Sequence, residues 1–357
     1  MPQNKLAKIF TVVGARPQFV KAAAVSRAIR ASAHLSEVMV HTGQHYDLDM
    51  SDLFFEELDI AAPAHRLDIH GGGHGDMTGR MLQGLEPLIE QERPDYVVVY
   101  GDTNSTLAGA LVAAKLHVPV AHVEAGLRSY NRRMPEEINR TVTDHLSQLL
   151  FCPTVAAVGN LATEGITESV FNVGDVMFDA ALHSAAKAKA HSRILDKLGL
   201  IRGTYAVATV HRAENTDNPV RLAAVIAWLK DRATRHPVVF PIHPRTRQAI
   251  ARAQLDLSGI TTCPPIGYLD MVRLLDGGFA VYTDSGGLQK EAYFYRKPCV
   301  TLRDETEWVE TIENGWNRLW QGPDYRPRRE IADYGEGNAA EIIVDRLADA
   351  IKNSAGR

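Results

Sequence analysis

Two stretches of this 357-residue chain carry residues whose types and spacing suit the holding of a nucleoside diphosphate. In VYTDSGGLQKEA, Val281 to Ala292, an apolar run stops at Thr283-Asp284, a Ser-Gly-Gly turn follows, and a helix-forming segment begins. Ser285 suits a helix N-cap, Gly286 and Gly287 let a ligand approach the backbone, and the free N–H groups and positive dipole end of the helix favour an anion. Glu291 falls one turn inward on the same face, where a carboxylate accepts two hydrogen bonds from a ribose diol. Ser-Gly-Gly alone is more often only a capped loop, and the run is neither a Walker loop nor a dinucleotide fingerprint.

The second stretch is GARPQFVK, Gly14 to Lys21. Pro17 fits the first helical position, so Arg16 is held at the mouth of a strand-to-helix turn and Lys21 lies one turn further on. Two cations near a helix N-terminus oppose its dipole, a cost that an anionic ligand relieves. Carboxylates supply the remaining chemistry. Asp102 follows an apolar strand, Glu124 ends another in HVEAGLR, His122 to Arg128, and Glu136-Glu137 follow Pro135 at a helix start. The last two also stabilise a dipole and are spaced for pairing with Arg140. Together with His211, the acids supply what proton transfer at a sugar carbon requires.

Short β-branched runs alternate with longer helical patterns from end to end, the signature of an α/β fold. Strands are expected to end at Val13, His41, Tyr100, Val123 and Cys152, then at Val210, Ile242, Tyr282 and Leu302. The polar segments sit immediately after them: Gly14–Pro17, Gly43-Gln44-His45, Gly101-Asp102, Glu124–Gly126, His211-Arg212, His243-Pro244-Arg245 and Asp284–Gly287. Open parallel sheets bind ligands beyond the carboxyl ends of their strands. Two doubly wound sheets facing a central cleft are therefore expected, residues 1–170 with the closing helix 340–357, and residues 171–339.

A net charge of -4 and a pI of 6.4 give no general attraction to nucleic acid or an acidic membrane. The run from Ile9 to Ala15 reads as a strand, not a signal-peptide core, and no segment approaches the roughly 20 apolar residues of a membrane span. Cys152, Cys263 and Cys299 lie far apart, which fits buried thiols in a reducing cytoplasm. The 14 histidines show no HExxH or similar metal-ligand spacing.

Read in order, GARPQFVK, GDTNSTLAGAL, HVEAGLR, MPEEINR, NVGDV, TVHRAEN and TDSGGLQKEA resemble the non-hydrolysing UDP-N-acetylglucosamine 2-epimerases across nearly the whole chain. The resemblance implies two Rossmann-like domains in the GT-B arrangement, a homodimer, a UDP-sugar substrate and no cofactor, NAD or metal. It places Asp102, Glu124 and Glu136 at the acid/base positions, with His211 beside the leaving UDP. Arg16, Lys21, Gln44, Arg128, His243, Ser285, Gly286, Gly287, Glu291 and Arg303 become the substrate-binding set. The implied reaction is C2 epimerisation of UDP-N-acetylglucosamine by elimination and re-addition of UDP, in the cytoplasm. Three departures stand out: Gln18 where many members carry an acid, a shortened loop Ser129–Met134 containing Arg132 and Arg133, and Trp308 where many carry an arginine near UDP. They resemble a subgroup acting on a UDP-2,3-diacetamido glucuronic acid, which is the alternative substrate; a GT-B glycosyltransferase is the nearest other enzyme class.

Overall fold

The computed structural model describes residues 6–44 and 57–355. Two parallel sheets organise them. The first comprises β1 (Ala7–Val13), β2 (Leu35–His41), β3 (His65–Arg66), β4 (Tyr96–Tyr100), β5 (Val120–Val123), β6 (Leu149–Cys152) and β7 (Val170–Asn172), in the order β3-β2-β1-β4-β5-β6-β7. The second comprises β8 (Ala206–Thr209), β9 (Val238–Pro241), β10 (Thr261–Cys263), β11 (Ala280–Thr283), β12 (Cys299–Thr301) and β13 (Asn317–Leu319), in the order β10-β9-β8-β11-β12-β13.

The central strands are largely apolar because helices cover both faces of a parallel sheet. Every residue of β4, sequence YVVVY, is buried. In the first unit Val12, Val97 and Val99 pack with Met81, Leu85 and Ala108 from covering helices. In the second, Ala208, Phe240 and Tyr282 pack with Leu222, Val225 and Leu229. Each fully buried aliphatic side chain contributes about 1.5–3 kcal/mol. Strand order reverses between β1 and β4 in one sheet and between β8 and β11 in the other. The loops leaving those four strands thus flank a crevice in each sheet, the place where doubly wound folds hold ligands.

The chain divides into Met1–Ala180 with Ala332–Arg357, and Ala181–Ile331. It leaves the first unit inside helix Val176–His191 and re-enters at Ala332, ahead of the closing helix Ala339–Ala355. That return is fastened by Asp179, whose carboxylate accepts from the Ala340 N–H at 2.8 Å. Burial pushes the Asp179 carboxyl up to about 6, against the pull of the amides it accepts from. All three cysteines are buried free thiols, and burial raises Cys152 to about 12. No helix among the described residues is long and apolar enough to cross a membrane.

Candidate active site

In the first unit the acids gather at the carboxyl ends of β4 and β5. Glu124 follows β5 with φ +72°, a left-handed conformation that a non-glycine residue adopts at a cost of about 1–3 kcal/mol. Its N–H and that of Ala125 both donate to the Phe151 carbonyl, at 3.0 and 3.1 Å, which holds the turn. Its carboxylate pairs with the Lys21 ammonium, which is itself buried. Gly101 makes room for this pair: a Cβ there would lie 3.2 Å from Glu124 Oε2 and 3.3 Å from Lys21 Nζ, at a φ of +62°.

Asp102 leaves the same glycine. Its carboxylate pairs with Arg140, and its carbonyl accepts from Asn139 Nδ2 at 2.9 Å. Burial raises the Asp102 carboxyl above its ordinary range; Arg140 pulls it down, and the Glu124 charge adds to the rise. Arg140 also reaches Glu137 at 3.1 Å. The helical pairing expected between Arg140 and the acids of the first turn therefore forms with Glu137, and the guanidinium continues to Asp102. Burial works against the Glu137 charge, but the Ser129 N–H and O–H, the Tyr130 N–H and Arg140 outweigh it and hold the carboxyl low. Glu136, one residue earlier, is exposed at the start of helix Pro135–Leu146.

Gln18 ties the β1 and β4 loops together. Its Oε1 accepts from the N–H groups of Gly14 and Ala15 at 2.8 and 3.0 Å, while its Nε2 donates to the Tyr100 carbonyl at 2.8 Å and Thr106 Oγ1 at 2.9 Å. An ionised carboxylate could accept the first two bonds and could not donate the others, so the amide suits this position. Gln44 Oε1 accepts from the Ser105 N–H and O–H at 3.1 and 2.8 Å, at the start of helix Asn104–Lys115. The Arg16 side chain lies outside what is described, as do His45–Asp47 beyond Gln44.

Arg128 corrects the sequence reading. Its side chain is 2% exposed and is bound to Asp144 at 2.7 Å and to Glu164 at 2.7 and 2.8 Å. Asp144 also faces His122 Nδ1 at 2.7 Å, and His122 Nε2 faces the Gly101 carbonyl at 2.7 Å. Both ring nitrogens of His122 thus face acceptor oxygens. Arg128 and His122 are braced on one buried carboxylate, His122 reaching on to the Gly101 carbonyl, and the Arg128 guanidinium is taken up by Asp144 and Glu164 rather than presented to a ligand.

In the second unit Asp284 plays the bracing part. Wholly buried, it accepts from the N–H groups of His211 (2.9 Å) and Arg212 (2.9 Å) and from Asn215 Nδ2 (2.9 Å), joining the loops after β8 and β11. The His211 ring stays 40% exposed, with its centroid 6.1 Å from that of His243. Burial lowers the His211 pKa, and the nearby Asp284 charge opposes the drop. His243 caps helix Pro244–Arg252 through Nδ1, which accepts from the Arg245 N–H at 3.3 Å.

Ser285 occupies the N-cap of helix Gly286–Phe294, but its side chain makes no capping bond; the Ser285 N–H donates to Thr283 Oγ1 at 2.9 Å. The hydroxyl and the first-turn amides thus remain available to a ligand. Burial pushes Glu291 up to about 7, with Lys290 pulling the other way. Arg303 donates to Glu214 at 2.9 Å and to Glu307 at 2.8 Å, so its guanidinium is engaged in this structure.

Each unit therefore carries its own constellation: acids with Lys21 and Arg140 in one, a helix first turn with two imidazoles and Glu291 in the other. The family described as UDP-N-acetylglucosamine 2-epimerase matches residues 27–348. The Pseudomonas aeruginosa UDP-2,3-diacetamido-2,3-dideoxy-D-glucuronate 2-epimerase is 55% identical over 316 residues, 87% of this chain and 88% of that protein. The UDP-N-acetylglucosamine 2-epimerase of Methanocaldococcus jannaschii is 42% identical over 87% of this chain and 88% of its own. The crystal structure of that organism's UDP-GlcNAc 2-epimerase with UDP-GlcNAc and UDP superposes with a TM-score of 0.83 at 39% identity, covering 96% of this chain and 99% of the other. The Neisseria meningitidis UDP-GlcNAc 2-epimerase bound to UDP-GlcNAc gives 0.85 at 29% identity, covering 96% and 100%. The fold class, α/β with two doubly wound units of GT-B type, is shared with these structures. On the strength of these matches, the chain belongs to the UDP-N-acetylglucosamine 2-epimerase family, isomerases of nucleotide sugars.

Proposed function

We propose that this chain, as a homodimer, inverts C2 of a UDP-2-acetamido sugar that carries a uronate carboxylate, with UDP-2,3-diacetamido glucuronic acid as the substrate. One observation carries the choice of sugar. Arg132 and Arg133 are exposed, lie four and three residues before Glu136, and have no ion-pair partner among the described residues. The other described cations around the acids are committed: Lys21 to Glu124, Arg140 to Asp102 and Glu137, and Arg128 to Asp144 and Glu164. A uronate brings one more negative charge than N-acetylglucosamine, and an uncommitted guanidinium can meet it with two parallel hydrogen bonds. The name of the 55% identical relative points the same way.

The chemistry follows from the acids and the anion site. C2–H is not adjacent to a carbonyl, so the barrier falls mainly through cleavage of C1–O with oxocarbenium character, as in glycoside hydrolysis. UDP leaves as C2 loses its proton to a carboxylate of the Asp102, Glu124 and Glu136 set, giving a 2-acetamido glycal. Protonation of C2 from the other face and return of UDP to C1 give the epimer. The departing diphosphate is stabilised by Arg16, His211 and the amides of Ser285–Gly287, where one lost donor costs on the order of 100-fold or more.

Comparing kcat/KM for the diacetamido uronate and for UDP-N-acetylglucosamine tests the substrate. Arg132→Ala with Arg133→Ala is expected to cost about 10–100-fold on the uronate, the scale of a hydrogen bond to a charged group, and to leave the neutral sugar unchanged. Equal loss on both sugars would remove the carboxylate role. A wild-type preference for UDP-N-acetylglucosamine would make that the substrate.

Glu291 adds a pH signature. Its carboxyl, pushed up to about 7 by burial, loses its charge as pH falls through that value. An ionised Glu291 accepting both ribose hydroxyls is favoured above that pH, so UDP affinity is expected to weaken up to about tenfold per unit as pH drops below it. The phosphate of UDP titrates nearby, which makes Glu291→Gln the control. Calorimetry from about pH 8 to about pH 6 should show a shallower dependence in the variant; identical slopes would sink the ribose role.

A further inference from the structure

The segment after β12 contains a donor that the chemistry above does not use. Trp308 buries its indole Nε1 without any hydrogen-bond partner. Its backbone is held on both sides: the N–H donates to Thr306 Oγ1 at 3.1 Å, and the carbonyl accepts from the Thr311 N–H at 3.1 Å and its Oγ1 at 2.6 Å. The Lys290 ammonium stands 4.1 Å from the indole centroid. Lys290 belongs to helix Gly286–Phe294, so the ring is seated on the helix whose first turn carries Gly286 and Gly287.

The indole nitrogen stands at that turn. Nε1 lies 3.4 Å and Glu307 Oε1 2.2 Å from the position a Cβ would take on Gly286, so both stand against the first turn of the helix. Arg303 offsets the Glu307 charge by donating to its other oxygen at 2.8 Å. A cation on the face of an indole draws electron density from the ring and makes its N–H a stronger donor. A desolvated, strengthened donor beside first-turn amides that no side chain caps is matched to an anionic acceptor.

We infer that Trp308 contacts the substrate directly, its indole N–H donating to the diphosphate held at the first turn of helix Gly286–Phe294. The inference rests on the UDP-sugar reading above. Being uncharged, the indole adds direction without adding positive charge, so it fixes where the leaving group departs and returns.

The test uses the full chain with its four tryptophans labelled with 15N at the indole, titrated with UDP. The indole resonance missing from Trp308→Phe is expected to move downfield as UDP binds. In the variant the UDP dissociation constant should rise by about tenfold, the low end for a hydrogen bond to a charged group, while uridine affinity stays unchanged. If UDP binds by calorimetry and this resonance stays in place, the inference fails and the nucleotide reading stands. Equal weakening of UDP and uridine would likewise overturn it, in favour of a packing role for the ring. Absence of UDP binding altogether would overturn both.

Discussion

Glu124→Gln is expected to lower turnover by about 10²–10⁴-fold, the scale of a general acid or base, while UDP still binds. The substitution keeps the size of the side chain and the backbone turn that the Phe151 carbonyl holds, so what it removes is the charge facing Lys21. Asp102→Asn should fall in the same range for a different reason. Burial favours the protonated form of Asp102, which suits it to deliver a proton, and an amide cannot do so. Glu136→Gln separates the two roles open to that exposed residue, because a glutamine still starts the helix adequately. Steady-state kinetics with calorimetric UDP binding checks all three. Near-normal turnover in Glu124→Gln would remove Glu124 from the mechanism, and near-normal turnover in Glu136→Gln would leave that residue only its helix-stabilising role.

Asp144→Ala is expected to destabilise the first unit by about 3–5 kcal/mol, because it removes the buried carboxylate that Arg128 and His122 share. Arg128 retains Glu164, but His122 is wholly buried and loses its only carboxylate among its bonded partners. The Gly126 N–H, 3.2 Å from Asp144 Oδ2, loses its acceptor as well. Urea denaturation followed by circular dichroism measures the effect. A change below about 1 kcal/mol would mean that the cluster is solvated and does not brace Gly101.

Much of the fold was legible because the buried central strands are continuous β-branched runs. Val13, His41, Tyr100, Val123 and Cys152 end strands as the pattern requires, and β8, β9, β11 and β12 end within one residue of the expected positions. The strands the pattern passes over are β3, β7, β10 and β13, two or three residues each and all at sheet edges. Such strands are short and half-exposed, so neither a run nor an alternation marks them.

The positions of Asp102, Glu124, His211 and Ser285 were legible because a polar residue directly after a buried strand has one place to go. Their partners were not. Arg140 reaches Asp102 across 38 positions, and His122 reaches Asp144 across 22, separations that only the folded topology closes. Arg128 reads as a ligand contact because it shares a loop with Glu124. The left-handed turns at Glu124 and Gly126 instead direct the chain so that its guanidinium meets Asp144. Trp308 and Asp284 could be singled out by type, as an odd aromatic and as an acid ahead of Ser-Gly-Gly, but an orphaned N–H and a set of accepted amides appear only in three dimensions.

Proton NMR of the purified protein with UDP-2,3-diacetamido glucuronic acid in D2O, without added NAD or metal, tests the central claim most directly. Elimination and re-addition through carboxylates on both faces of C2 require the manno epimer to appear with deuterium at C2, and deuterium then to enter the recovered substrate. An epimer that keeps its original C2 proton throughout, or release of UDP with no epimer formed, would contradict the account.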